Sequence, residues 1–181
     1  MTSYVALLRG VNVGGKVAKM ETVRGSFEAL GFGQVSTYVQ SGNVLFHTKA
    51  AGGAALAKKI AARLEKDIGF APAVLVLSAT ELARVIADNP FAKEKGIDPT
   101  KLHVTFLDGP APGAGLEKMK GFASSHERFV CRGTAIYLHC PDGYGRSKLS
   151  NNVFERVLEV GATTRNWKTV TTLAALVEKS P

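Results

Sequence analysis

Apolar residues crowd the start of the chain. Tyr4, Val5, Leu7 and Leu8 stand almost without a break, a spacing that predicts a buried strand over residues 3–9. The period then changes. Met20, Val23, Phe27 and Leu30 recur at steps of three and four, so they share one face of a helix over 19–30, with Gly31 as its stop. Two strands are predicted next, 34–40 and 43–48, with Ser41-Gly42-Asn43 as a tight turn between them. Leu56, Ile60, Leu64 and Ile68 line one side of a second helix over 54–68, while Lys58, Lys59, Arg63 and Lys66 mostly face water. The apolar run 73–77 closes the unit as a strand.

Ser78-Ala79-Thr80-Glu81 is a capping box that opens a third helix with Leu82, Val85 and Ile86 inward, ended by Asn89-Pro90. Residues 90–101 carry two prolines and mixed charge and read as a connection. The order then repeats. It runs through a strand at 103–107, a helix over about 115–124 and a hairpin, 128–132 with 135–140, turning at Gly133-Thr134. A helix follows at about 152–160, opened by Asn152 with Glu155 and stopped by Gly161. A short strand at 162–165 leads to a last helix from 167, capped by Asn166. Aligning Gly42 with Gly133 sets Asn43-Val44-Leu45-Phe46 against Thr134-Ala135-Ile136-Tyr137.

The fold expected is α+β: two ferredoxin-like β-α-β-β-α-β units packed together, each an antiparallel sheet with helices on one face. The first unit covers 1–88, the connection 89–101, and the second unit with its extra C-terminal helix 102–181.

Composition adds limits rather than an activity. Lys and Arg total 23 against 15 Asp and Glu, a formal charge of +8, with no basic tail. That balance permits binding to nucleic acid or another polyanion without requiring it. Cys131 and Cys140 do not form a C-x-x-C pair and are expected to be reduced thiols in a cytoplasmic protein. No signal-peptide pattern and no membrane-length apolar run is present. The four histidines are scattered without metal spacing, no acid–base pair or nucleophile stands out, and no cofactor is expected.

The chemistry-bearing stretch follows the first strand: Arg9-Gly10-Val11-Asn12-Val13-Gly14-Gly15-Lys16. Its glycines let bare N–H groups approach a ligand, and Arg9 and Lys16 add positive charge. Gly10-x-x-x-x-Gly15-Lys16 matches a phosphate-binding P-loop formally. Three features oppose that match: Val17 stands where Ser or Thr would hold Mg²⁺, the following helix starts late, and the neighbouring hairpin is antiparallel. An anion nest built on Arg9, Gly10, Asn12, Gly14, Gly15 and Lys16 is the functional reading. A glycine turn made only for chain reversal, with both cations solvated, is the plainer one.

Three further spots carry polar or cationic side chains. Gln40, Ser41 and Asn43 can hydrogen-bond a base, amide or sugar, or merely form the turn; sequence leaves open whether that turn meets the end of the first strand. Arg146 and Lys148 can clamp phosphate or sit solvated in a loop. Arg165 and Lys168 flank a helix N-terminus that favours an anion, while Trp167, in step with Val170 and Leu173, is read as core.

Residues 4–16, the run Tyr38-Val39-Gln40-Ser41-Gly42-Asn43-Val44-Leu45-Phe46 and the run Thr163-Thr164-Arg165-Asn166-Trp167-Lys168-Thr169-Val170 together resemble the motifs of the domain-of-unknown-function 1697 family. The likeness spans nearly the whole chain. It implies a two-lobed α+β protein with ferredoxin-like elements and no known activity. Members often carry a polar residue after the loop lysine, where this chain has Val17. The expected function is binding of a phosphate-bearing or other anionic small ligand through the loop 9–16. The alternatives are a nucleic-acid binder and an interaction module without a ligand. No membrane partner is expected, and the oligomeric state is not legible.

Overall fold

The structure, a computed structural model, describes residues 1–39 and 42–179. Among these, eight strands and six helices follow one another in two rounds of the same order. The first round is β1 (Thr2–Arg9), α1 (Met20–Ala29), β2 (Gly33–Tyr38), β3 (Asn43–Thr48), α2 (Gly53–Ile68) and β4 (Ala73–Ser78), followed by α3 (Ala79–Ala87). The second is β5 (Leu102–Leu107), α4 (Gly113–Met119), β6 (Arg128–Arg132), β7 (Ala135–His139), α5 (Asn151–Leu158) and β8 (Ala162–Asn166), followed by α6 (Trp167–Lys179). The strand orders are β2-β3-β1-β4 and β6-β7-β5-β8, antiparallel throughout. This is the ferredoxin-like pattern twice over, as expected. Two compact units result: Met1–Ala83 with the C-terminal segment from Leu173, and Arg84–Thr172.

In the first unit, alternate strand residues Tyr4, Ala6, Leu8, Val44 and Phe46 meet Val23 and Phe27 of α1 and Leu56, Ile60 and Leu64 of α2. Phe46 is the hub: Phe27 packs edge-on at 5.4 Å and Phe32 stacks at 4.7 Å. One polar tie joins the two helices, where Ser26 Oγ donates to Asp67 Oδ2 at 2.7 Å and Arg63 Nε donates to the same oxygen. In the second unit Leu107, Ile136, Leu138 and Ala162 meet Met119, Phe154 and Leu158 of its helices.

The capping box forms as read: Glu81 Oε2 accepts from Ser78 N at 2.7 Å, and Ser78 Oγ accepts from Glu81 N. Asn166 caps α6 by accepting from Thr169 N at 2.8 Å. Other details differ. The helix expected over 115–124 ends at Met119. The cap of α5 is Ser150, whose hydroxyl accepts from Val153 N, while Glu155 reaches away to accept from Ala162 N. Glu159, at φ 55°, ends α5 before Gly161 is reached. The internal repeat is also offset by one residue. Leu7 pairs with Asn43 and Phe106 with Ala135, so Asn43 corresponds to Ala135, not Thr134. A one-residue slip exchanges the faces of a strand. The structural offset puts Val44 and Phe46 in step with Ile136 and Leu138, all on the helix-covered face.

Candidate functional site

The β1–α1 connection is anchored at both ends and free in the middle. Val11 and Ala18 are buried in the first core. Between them residues 12–17 are all exposed, including Val13 at 61% and Val17 at 76%. Gly14 and Gly15 take φ 59° and 82°, the two positive values of a type I′ turn. Lys16 N donates to Val13 O at 3.1 Å and Asn12 N donates to Lys16 O at 2.8 Å, so residues 12–16 form a miniature hairpin. Asn12 closes its base, with φ 59° and with Oδ1 accepting from Ala18 N at 2.9 Å.

This geometry accounts for the paired glycines by chain reversal. It also uses the N–H groups of Asn12, Lys16 and Ala18 within the loop. Lys16 Nζ lies 5.8 Å from the centre of the Phe70 ring. Arg9 is half-buried at the end of β1, opposite Ala73 of β4, and Gly10 follows at φ 84°. The β1–β3 pairing brings the β2–β3 turn to the same end of the sheet, where Leu8 N donates to Gly42 O at 2.7 Å. Asn43 is fully buried there, and its Nδ2 donates to Tyr38 O at 3.0 Å. Gln40 and Ser41 lie outside the described residues.

A cavity of about 430 Å³ opens beside the hairpin, lined by Asn12, Val17, Ala18, Lys19, Met20 and Glu21. It faces the start of α1. Lys19 holds the N-cap position with extended backbone and supplies no side-chain cap. The first helical N–H groups have no partner within a helix, and the helix dipole makes this end positive. Lys19 and the helix start escape a reading of the sequence because no motif marks them; the only sign is the absence of Ser, Thr, Asp or Asn at the cap.

The second unit holds its own cavity, of about 410 Å³, in which Arg146 and Lys148 come together with Ser124, Glu127 and Asp142. Lys168 is exposed on the first turn of α6 and is not among the residues lining it. Arg165 is half-buried on β8, where its Nη1 donates to Thr164 O at 3.0 Å. Burial pushes its guanidinium down to about 10. The thiols are far from activated: burial raises Cys131 and takes Cys140 to about 11. No group of three metal-ligating side chains occurs among the described residues, and no helix among them is long and apolar enough to cross a membrane.

The fold has a close counterpart. The conserved bacterial protein SP0830 from Streptococcus pneumoniae is similar over 99% of both chains, with a TM-score of 0.79 at 21% identity. At that identity the likeness speaks for the fold alone. None of the curated proteins compared with the chain matches it. A family model described as "Protein of unknown function (DUF1697)" matches residues 1–137, a span that takes in the hairpin, the β2–β3 turn and the cavity at α1. The chain belongs to the DUF1697 family of proteins of unknown function.

Proposed function

We propose that this protein binds a small phosphate-bearing or otherwise anionic ligand at the base of the hairpin 9–16, in the cavity between Asn12, Lys19 and the first turn of α1. The observation that carries the reading is the helix start: α1 opens onto a cavity with no side-chain cap, and Lys19 beside it makes no side-chain hydrogen bond or ion pair among the described residues. An anion there meets free N–H groups, the positive end of the dipole and an ammonium. Glu21 on the same wall favours a ligand that also carries hydroxyl donors, such as a sugar phosphate or nucleotide. Free thiols at Cys131 and Cys140 support a cytoplasmic setting.

The test is calorimetric titration and thermal shift with inorganic phosphate, a sugar phosphate and a nucleotide. Lys19→Ala lowers affinity, and Lys16→Ala, whose ammonium lies over Phe70, lowers it less. Absence of binding by any of the three anions, or equal binding by Lys19→Ala, overturns the reading.

A second reading, an interaction surface, rests on a different observation. Val13, Val17 and Val39 are three of the five large apolar side chains exposed among the described residues, and all sit on the two connections at this end of the first sheet. Val39 is 52% exposed and β-branched, yet holds φ 50°. Clustered apolar exposure of this kind suits a protein partner. Val13→Ser with Val39→Ser would abolish such an association while leaving anion binding intact, since neither lines the cavity; unchanged association counts against it.

A further inference from the structure

We propose that the cavity of the second unit is a separate binding site, for a small organic anion with an aromatic or apolar body. It stands on its own residues and does not depend on the reading of the hairpin. Two connections wall it: the α4–β6 segment through Phe122, Ser124 and Glu127, and the β7–α5 segment through Asp142, Arg146 and Lys148.

The cationic wall is held at both ends. Tyr144 stacks on His103 at 4.6 Å with the rings 22° apart. Leu149 is fully buried in the second core. Between them Tyr144–Arg146 makes one 3₁₀ turn, and Ser147 Oγ accepts from Leu149 N at 3.0 Å. Arg146 and Lys148 are therefore carried on a pinned segment, which lowers the ordering cost of binding.

The charges are unequally satisfied. Glu127 Oε2 accepts from Ser124 N at 2.8 Å, and Asp142 Oδ2 lies 3.4 Å from His126 Nδ1. Arg146 and Lys148 make no side-chain hydrogen bond or ion pair among the described residues. The acids keep their charge, so the wall is neutral overall, but their acceptor atoms are already engaged while the donors of Arg146 and Lys148 are open to a ligand. A guanidinium and an ammonium on one wall suit a phosphate or carboxylate.

The body of the ligand is indicated by what adjoins. A second hollow of about 460 Å³ shares Ala123, Ser124 and Glu127 with the first and adds Phe91, Phe129 and Val130. The cations at its edge are already engaged: Arg128 with Glu94 at 2.9 Å, and Lys120 with Glu117 at 2.7 Å. An anionic head on Arg146 and Lys148 would then extend its ring or alkyl part over Phe129 and Val130. Both hollows fall within the range of small-molecule sites.

The experiment is calorimetric titration of the full chain with phenyl phosphate, inorganic phosphate and phenol. Phenyl phosphate is expected to bind about tenfold tighter than inorganic phosphate, and phenol weakest. The exposed pair Arg146→Ala/Lys148→Ala, checked for folding by circular dichroism, is expected to lose about tenfold or more for phenyl phosphate. Asn12→Asp, at the hairpin, leaves phenyl phosphate binding in place. The proposal is overturned if phenyl phosphate gives no binding, if it binds no better than inorganic phosphate, or if the double variant binds it like the parent. Binding that Asn12→Asp abolishes and the double variant keeps assigns the anion to the hairpin and also overturns it.

Discussion

Leu8 and Gly42 lie against each other so closely that no other residue fits at position 42. Leu8 N donates to Gly42 O at 2.7 Å, and a Cβ built on Gly42 would stand 2.9 Å from Leu8 Cβ and 3.0 Å from Leu8 O. Gly42 also holds φ 77°. The contact clamps the β2–β3 turn onto the strand that launches the hairpin. Gly42→Ala therefore meets both a left-handed backbone and a backbone oxygen that cannot move aside. The expected cost is about 2 kcal/mol or more, read from urea denaturation. A variant as stable as the parent would show that the turn is not clamped.

Gly14 and Gly15 make the opposite case. Both have positive φ, but a Cβ at either meets nothing within 4 Å. Only backbone strain opposes substitution, so Gly15→Ala is expected to cost about 1 kcal/mol. Gly14→Asn creates the Asn-Gly pair that type I′ turns prefer and should leave stability within about 0.5 kcal/mol of the parent. Denaturation midpoints of the two variants check this. A large loss for Gly14→Asn would mean that the hairpin does not form the turn.

How much of this is legible in the chain depends on what kind of signal each feature leaves. Ser78 and Glu81 announce a capping box because the residue types and the spacing are both specific, and the helix faces of α1 and α2 follow from period alone. The repeat offset is hidden because Gly133 resembles Gly42 in type, whereas register is set by which residue faces the core: Val44 matches Ile136. Asn152 and Glu155 have capping-box spacing, but the helix has already begun at Asn151, with Ser150 as its cap accepting from Val153 N. The glycines of the hairpin carry an inherently double signal, since positive φ serves chain reversal and anion approach alike. Lys19 leaves no mark, because its importance comes from a missing cap.

His103 couples stability to pH. Burial pushes its imidazole below the ordinary 6.5, partly offset by a backbone hydrogen bond to Lys101. His139 is lowered too, by burial and then by Arg128. For both, the unfolded chain takes up a proton at a higher pH than the folded one. The unfolded state then binds more protons, so stability rises with pH across that window and is lost as pH falls below about 6.5 towards the folded value. Thermal midpoints taken from about pH 7 to about pH 5 should fall. His103→Phe keeps the stack on Tyr144 and should flatten the decline; an unchanged slope would assign the effect elsewhere.

Asn12 offers the sharpest separation of fold from function. Its Oδ1 accepts from Ala18 N at 2.9 Å, and that bond needs an acceptor, not an amide. Asn12→Asp keeps the acceptor, the size and a residue type that tolerates the φ of 59°. It gives up the donation from Nδ2 to Met20 Sδ at 3.9 Å, which is weak because a thioether is a poor acceptor. Stability should therefore fall by no more than the net worth of a donated hydrogen bond, about 1.5 kcal/mol. The same change places a carboxylate on the cavity wall at the start of α1, where it would itself occupy the positive end of the helix and repel an anion. Inorganic phosphate affinity should drop about tenfold or more at low salt, a difference of about 1.4 kcal/mol. Paired urea melts and calorimetric titrations decide the matter: equal phosphate affinity in a variant whose stability stays within that limit would remove the helix start from the site.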